Sequence, residues 1–420
     1  MTSVSKEEFR RGWPILIATI IGLGTSVAAL GIYSTGLFSA SLHNEFDLSV
    51  GHFGLAFTLL TLGMAVGSPL AGIAVDRFGL LPPVIFGAVC EAIGFAIIAS
   101  LVHSLAFYMV MIFLVGLLSA SAGAVPFSRA LGVWFDRSRG LALGIGMLGM
   151  GSAGVIVPRV ITHVITAHGW RTAYWALAAT AIIGLLPSLI ALRSPSAPAQ
   201  ANSRSTIADG PDISVILRNP LYWRTMATFT ALNVAFGGLL PYMVPMLHSY
   251  GLTTADAASA ASLSGFAVII TRFAIGGLFD RTSAPRVAAA MSVVCAAGVG
   301  ALALGGRSFA FAPPIALGIM LGAEMDVIAY FVSRYFGLHA FGRAYAVAYT
   351  AFVLGGCVAP VWFGHMVAGA GYRPTLFLVM ALVLGCAVAF LTLPDTRTST
   401  AAPSPLRRQT GRPAGATQTL

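Results

Sequence analysis

Six ionisable side chains interrupt stretches that are otherwise apolar: Glu91, Arg129, Arg159, Arg272, Glu324 and Asp326. At mid-membrane each costs at least ~2.5–3.5 kcal/mol, so each needs a partner or a wet cavity. Arg272 is the most telling. It lies about five residues, some 7 Å of helix, from the centre of its stretch, and its neighbours Ile269, Ile270 and Phe273 are apolar. A guanidinium keeps its charge there and presents a planar fork that matches a carboxylate. Arg272 is therefore the candidate ligand of an anionic substrate, the alternative being a structural pair with Glu324 or Asp326. Those two acids stand about 200° apart around a helix, so they cannot face the same way. A buried carboxylate can take up and release a proton, which makes Glu324 and Asp326 the candidate proton carriers.

The other polar residues in these stretches are weighed the same way. Arg159 follows Pro158, which frees backbone groups, and is a candidate cavity residue. Tyr33, Asn233, Tyr242 and Tyr330 are candidate hydrogen-bonding groups for a substrate, with bonds between helices as the equal alternative. Arg129 lies near the end of its stretch, where its head can snorkel to water. Glu91 lies midway along its stretch and is expected to meet a structural partner rather than substrate.

A charged turn occurs twice. Gly72-x-x-x-Asp76-Arg77-Phe78-Gly79 closes one apolar stretch, and Gly276-x-x-x-Asp280-Arg281 closes another 204 residues later. Trp134-Phe135 and Tyr335-Phe336 repeat at an offset of 201. Near-equal offsets indicate two parallel halves, which in membrane proteins rock against each other around a central site. An Asp beside an Arg at a helix end can lock a loop by charge-assisted hydrogen bonds that such a motion must break. Asp76, Arg77, Asp280 and Arg281 are accordingly the candidate gating residues.

The elements that must position these groups follow from composition. With 57% hydrophobic and only 9% charged residues in 420, the chain lacks the polar surface of a soluble globule. About twelve stretches, from 13–42 to 373–393, reach the roughly 20 apolar residues that a spanning helix needs; strand-like alternation is absent, which excludes a porin-like barrel. The expected fold is all-α: twelve transmembrane helices in two six-helix bundles around a central cavity. Residues 1–192 form the first bundle, 193–220 a Ser- and Pro-rich cytoplasmic linker, 221–394 the second bundle, and 395–420 a disordered cytoplasmic tail. Arginines gather in alternate connections, the pattern of cytoplasmic loops, so both termini are expected inside an inner membrane. The net charge of +10 is mostly this topology signal and not a nucleic-acid footprint. Cys90, Cys295, Cys357 and Cys386 all fall inside spans without metal or disulfide spacing and are expected to pack.

This arrangement resembles the major facilitator superfamily over essentially the whole chain. The first charged turn carries that family's Gly-x-x-x-Asp-Arg-x-Gly, although Leu80-Leu81-Pro82-Pro83 stands where basic residues usually follow. A narrower resemblance is to the bacterial monocarboxylate and oxalate carriers. It rests on Leu30-Gly31-Ile32-Tyr33-Ser34-Thr35-Gly36-Leu37-Phe38, on Trp134 through Gly144, on Pro245-Met246-Leu247, and on Gly265-Phe266 through Thr271-Arg272. It implies transport of small carboxylates, with a proton or by exchange. In that group an arginine matching Arg272 binds substrate, and an acid often stands four positions earlier, where this chain has Val268.

These features describe a secondary active carrier of a small organic anion, proton-coupled, with the lipid bilayer and a carboxylate as its partners and no cofactor; it is expected to be a monomer. The runner-up is proton-driven efflux of drugs or metabolites. Cation exporters commonly use an embedded acid in the inner helices of the first half, whereas the inner spans there offer only Arg129. An enzyme is disfavoured: the histidines mostly mark span ends and form no His-Glu-x-x-His cluster.

Overall fold

The computed structural model describes residues 3–47, 49–135, 139–192, 217–336 and 341–395. Among them twelve helical segments are long and apolar enough to cross a membrane, and no strand is present. The molecule is an all-α membrane protein of two six-helix bundles. An even number of crossings returns the chain to the face from which it started, called the terminal face below; the other is the far face.

Eight spans are single long helices: the second (Val50–Phe78), third (Leu81–Leu101), sixth (Trp170–Ala191), eighth (Thr254–Arg281), ninth (Ala284–Gly305), tenth (Ala312–Phe336), eleventh (Phe341–Ala370) and twelfth (Tyr372–Leu391). The remaining four are segmented. The first runs Ser3–Gly24, Val27–Thr35, a 3-10 turn Gly36–Phe38, and Ser39–Phe46; the fourth runs Leu105–Ser119, a 3-10 turn Ala120–Ala122, and Ala124–Trp134. The fifth is Arg139–Gly146 then Leu148–His168, and the seventh Pro220–Gly237 then Leu239–Ser249. The apolar stretch read over 13–42 lies within one crossing, Glu8–Phe46, and that crossing is broken inside the membrane. At Ser26 the backbone is extended (φ −80°, ψ 161°), and the Ser26 hydroxyl donates to Leu23 O at 2.9 Å. A Gly-Thr-Ser sequence competes locally with helical hydrogen bonding, and broken backbone survives at membrane depth only where protein surrounds it.

Helix starts obey the expected chemistry. Ser49 accepts from the His52 amide, Ser104 from that of Phe107, Thr253 from that of Asp256, and Asn219 from that of Leu221; each satisfies a donor that the first helical turn leaves free. Gly169 and Gly371 both carry positive φ, 84° and 81°, at the start of the sixth and twelfth spans. Their 202-residue separation adds a conformational match to the sequence repeat. Large apolar side chains such as Ile183, 64% exposed, and Leu304, 70% exposed, form a lipid-facing surface, as expected where the solvent is hydrocarbon.

The bundles meet chiefly through the fifth and eighth spans and through the second and eleventh. Small residues allow these approaches in lipid, where no hydrophobic effect drives helices together. A Cβ at Gly265 would stand 2.5 Å from Val155 N and 2.6 Å from Gly151 O; one at Gly36 would stand 2.6 Å from Pro241 O. Thr58 donates to Cys357 O at 2.6 Å across the second and eleventh spans. Phe53, Tyr242 and Phe363 pack ring on ring beside this contact, with centroids 5.4 and 5.2 Å apart. These contacts lie between mid-depth and the far face, so the bundles are sealed on that side. Within the first bundle, Glu45 accepts from Trp170 Nε1 at 2.7 Å and from Arg171 at 2.9 Å, pinning the end of the first span to the sixth.

The linker at 193–216 and the tail at 396–420 lie outside the described residues.

Candidate functional site

Close packing of the eighth and tenth spans builds the centre of the site. Gly322 lies against Val268 and Thr271, where a Cβ would stand 2.7 Å from Val268 O. That approach carries Glu324 toward Arg272, close enough that the two groups interact electrostatically. Both also act on Tyr33, which reaches in from the Val27–Thr35 piece of the first span. Tyr33 is held there by Gly154 of the fifth span, whose missing Cβ would stand 2.9 Å from the phenol Cζ. Three of the sequence-derived residues, Arg272, Glu324 and Tyr33, are therefore brought together from three spans and both bundles.

Arg272 is only partly exposed, and its Nε is buried without a hydrogen-bond partner. Among the described residues no ion pair joins Arg272 to Glu324 within 4.0 Å. The alternative of a closed structural pair with Glu324 is therefore not what the geometry shows. A guanidinium with a buried, unsatisfied Nε and no ion pair to Glu324 retains its capacity for an anion. Asp326 lies on the same helix, but its side chain is outside the described residues.

The other expected substrate contacts are placed elsewhere. Asn233 donates through Nδ2 to Phe352 O at 2.8 Å, tying the seventh span to the eleventh. Tyr242 is 1% exposed and sits in the far-side aromatic seal, its hydroxyl facing the Gly54 backbone. Tyr330 packs under the guanidinium of Arg334 at 5.3 Å from ring centroid to Cζ. Arg159 is exposed on the face of the fifth span that also presents Ile156 and Val160, whereas its neighbour Pro158 lines the small pocket beside Tyr33. A residue the sequence reading passed over takes a place at the centre: Tyr349 of the eleventh span, half-exposed, feels the charge of Glu324. It stacks at 6.0 Å on Tyr345. The i, i+4 spacing of those two tyrosines was the available signal.

The charged turn is partnered differently from the expectation. Asp76 pairs with Arg129 of the fourth span and not with the adjacent Arg77. Arg77 instead lies over the Phe78 ring, 5.4 Å from its centroid. Arg129, read from the sequence as a snorkelling residue, is thus the partner that ties the second span to the fourth at the terminal face. Arg334 stands 205 residues after Arg129, as Asp280 stands 204 after Asp76. The side chains of Asp280 and Arg281 lie outside the described residues.

Similar proteins have the same architecture. The chain is 26% identical over 354 residues to the MFS-type transporter YhjX of Escherichia coli (strain K12), covering 82% of this chain and 86% of that one. It is 25% identical over 410 residues to monocarboxylate transporter 11 of Homo sapiens, covering 91% and 83%. Among solved structures, a D-xylose-proton symporter superposes with a TM-score of 0.71 at 16% identity, over 91% of this chain and 98% of that one, which shows a common fold. The profile of the Major Facilitator Superfamily matches residues 21–360. A fold of twelve spans, two sequence-related halves and a polar centre shared between them agrees with that match, and the chain belongs to the Major Facilitator Superfamily, a transporter and not an enzyme.

Proposed function

We propose that this transporter carries a small organic anion of the monocarboxylate type, coupled to protons, by rocking of its two bundles around Arg272. One observation carries the reading: the Arg272 guanidinium is held between the bundles with a buried Nε that no group among the described residues satisfies. A carboxylate supplies the missing charge and the planar acceptor pair. Tyr33 and Tyr349 are placed to donate hydrogen bonds to the same substrate, and Glu324 to exchange a proton as the anion arrives or leaves. Substrate neutralises Arg272, and protonation neutralises Glu324, so the loaded centre crosses the low-dielectric interface with less net charge than either group alone would impose. Relatives named as monocarboxylate transporters support the substrate class.

In this reading both termini and the 193–220 linker face the cytoplasm of a cell whose inner membrane holds the monomeric protein. The far-side seal then corresponds to a carrier closed to the outside. Asp76 and Arg129 act on the conformational equilibrium rather than on substrate. The deciding experiment is a thermal-shift and equilibrium binding screen of purified protein against small mono- and dicarboxylates and their methyl esters. Binding of a free acid, but not its ester, is expected; a ligand set of neutral or cationic compounds would overturn the anion reading.

A further inference from the structure

Glu91 belongs to no part of that site. It lies on the third span, is 0% exposed, and neither carboxyl oxygen has a hydrogen-bond partner. It faces the break in the first span, where Thr25 and Ser26 leave the helix. The amide of Val27, first residue of the next helical piece, points at the carboxyl without reaching normal hydrogen-bond geometry. Thr25, Ser26, Glu91 and Ser188 line one small cavity there, about 10 Å³ to the centre of a water-sized sphere. That is room for roughly one water or one small ion.

The lining is rich in lone pairs. The Thr25 hydroxyl donates to Ile21 O and that of Ser26 to Leu23 O, both at 2.9 Å, so their oxygens are left with acceptor capacity only. Ser188 Oγ is buried and unpartnered. Among the described residues no Arg, Lys or His lines the cavity. A carboxylate buried among apolar helices without a counter-charge is unstable, and a proton on Glu91 would leave Ser188 Oγ and the void as they are.

We propose that this cavity, beside the helix break, is a sodium site: one Na⁺ held by Glu91 and the hydroxyls of Thr25, Ser26 and Ser188. Broken helices inside membrane proteins commonly border ion sites. One unit charge neutralises one carboxylate, whereas a divalent ion would leave a net positive charge buried, and the high field strength of a carboxylate ligand favours the smaller sodium ion over potassium. The bound ion ties the third and sixth spans to the start of the Val27–Thr35 piece, which carries Tyr33. Sodium thereby sets the position of a residue of the central site without entering it.

The test uses thermal unfolding of the purified full-length protein, with sodium chloride titrated against choline chloride at constant ionic strength and fixed pH. A saturable upward shift of a few degrees with sodium, absent with potassium, is expected. Glu91→Gln is expected to abolish the shift, and Ser188→Ala to weaken the apparent sodium affinity several-fold. Identical curves in sodium and choline, or an unchanged sodium response in Glu91→Gln, would overturn the proposal. So would stabilisation by acid alone, which would make Glu91 a proton-bearing residue. If Glu91→Gln does not fold, radiolabelled sodium binding to the wild type and to Ser188→Ala decides: no saturable binding, or equal affinity in the two, refutes the site. No substrate is present in these measurements, so their failure is separable from failure of the Arg272 reading.

Discussion

Two carboxylates lie at similar depth in the two bundles, and their surroundings are opposite in kind. Glu324 in the second bundle feels Arg272, Tyr33 and Tyr349, groups contributed by three other spans. Glu91 in the first bundle is closed off, with hydroxyls and broken backbone for neighbours and no cation among the described residues of its cavity. The first acid sits where the bundles move against each other; the second sits within one bundle. A buried charge between moving bodies can be used once per cycle, whereas one inside a rigid body can only be held. The difference teaches that depth in the membrane does not define a carboxylate's environment; the groups that facing helices bring to it do.

The contrast can be broken most directly at Arg272. Arg272→Ala is expected to weaken binding of the transported anion about 30-fold or more, the range for removing one member of a desolvated charge pair. Arg272→Lys should fall between, since it keeps charge but loses the fork. Equilibrium binding on folded protein is the measurement, and unchanged affinity in Arg272→Ala would remove the centre from the second bundle.

The next largest effect separates the two acids. Glu324→Gln should flatten the pH dependence of uptake, while Glu91→Gln should leave its shape intact. Uptake in vesicles over a pH series tests this; equal flattening by both substitutions would erase the distinction.

The seal gives a third, smaller effect. Gly265→Val places a side chain against Val155 N and the Gly151 carbonyl, backbone that cannot yield. It should slow transport by disfavouring the far-closed state while sparing the fold, and cysteine accessibility on the two faces of the eleventh span would show the shift. Labelling unchanged from wild type would contradict it.

The smallest effect belongs to Asp76 and Arg129. Their side chains are 68% and 50% exposed, so a double-mutant cycle with Asp76→Asn and Arg129→Gln should return only about 0.2–1 kcal/mol of coupling. Transport rate should change a few-fold and substrate affinity should not. A hundred-fold affinity loss in Asp76→Asn would place that acid in the binding site instead.

Much of this was legible in the sequence. Apolar length identified the twelve spans, the repeated Asp-Arg turns exposed the two halves, and charge in apolar surroundings singled out Arg272 and Glu324. Tyr349 was missed because its one sequence signal, the i, i+4 spacing with Tyr345, does not separate a cavity-facing position from a packed one. Tyr242 and Asn233 were read with substrate contact and interhelical bonding as equal alternatives for the same reason, and their described contacts lie between helices. Arg129 as the partner of Asp76 was hidden by 53 residues of separation.

By itself the sequence determined the class of the molecule, the number and rough extent of its spans, its internal repeat and the residues whose burial demands a reason. Those properties are local: they depend on apolar length along one helix and on the cost of a charge in hydrocarbon, whatever the neighbours. Only the tertiary structure decided which charges meet, that the first span breaks at Thr25 and Ser26 opposite Glu91, and that Arg272 keeps an unsatisfied nitrogen. Such partnerships depend on how closely small residues such as Gly322 and Gly154 let particular helices approach. In a bilayer that approach is set by the fit of facing surfaces, to which distant parts of the chain contribute together.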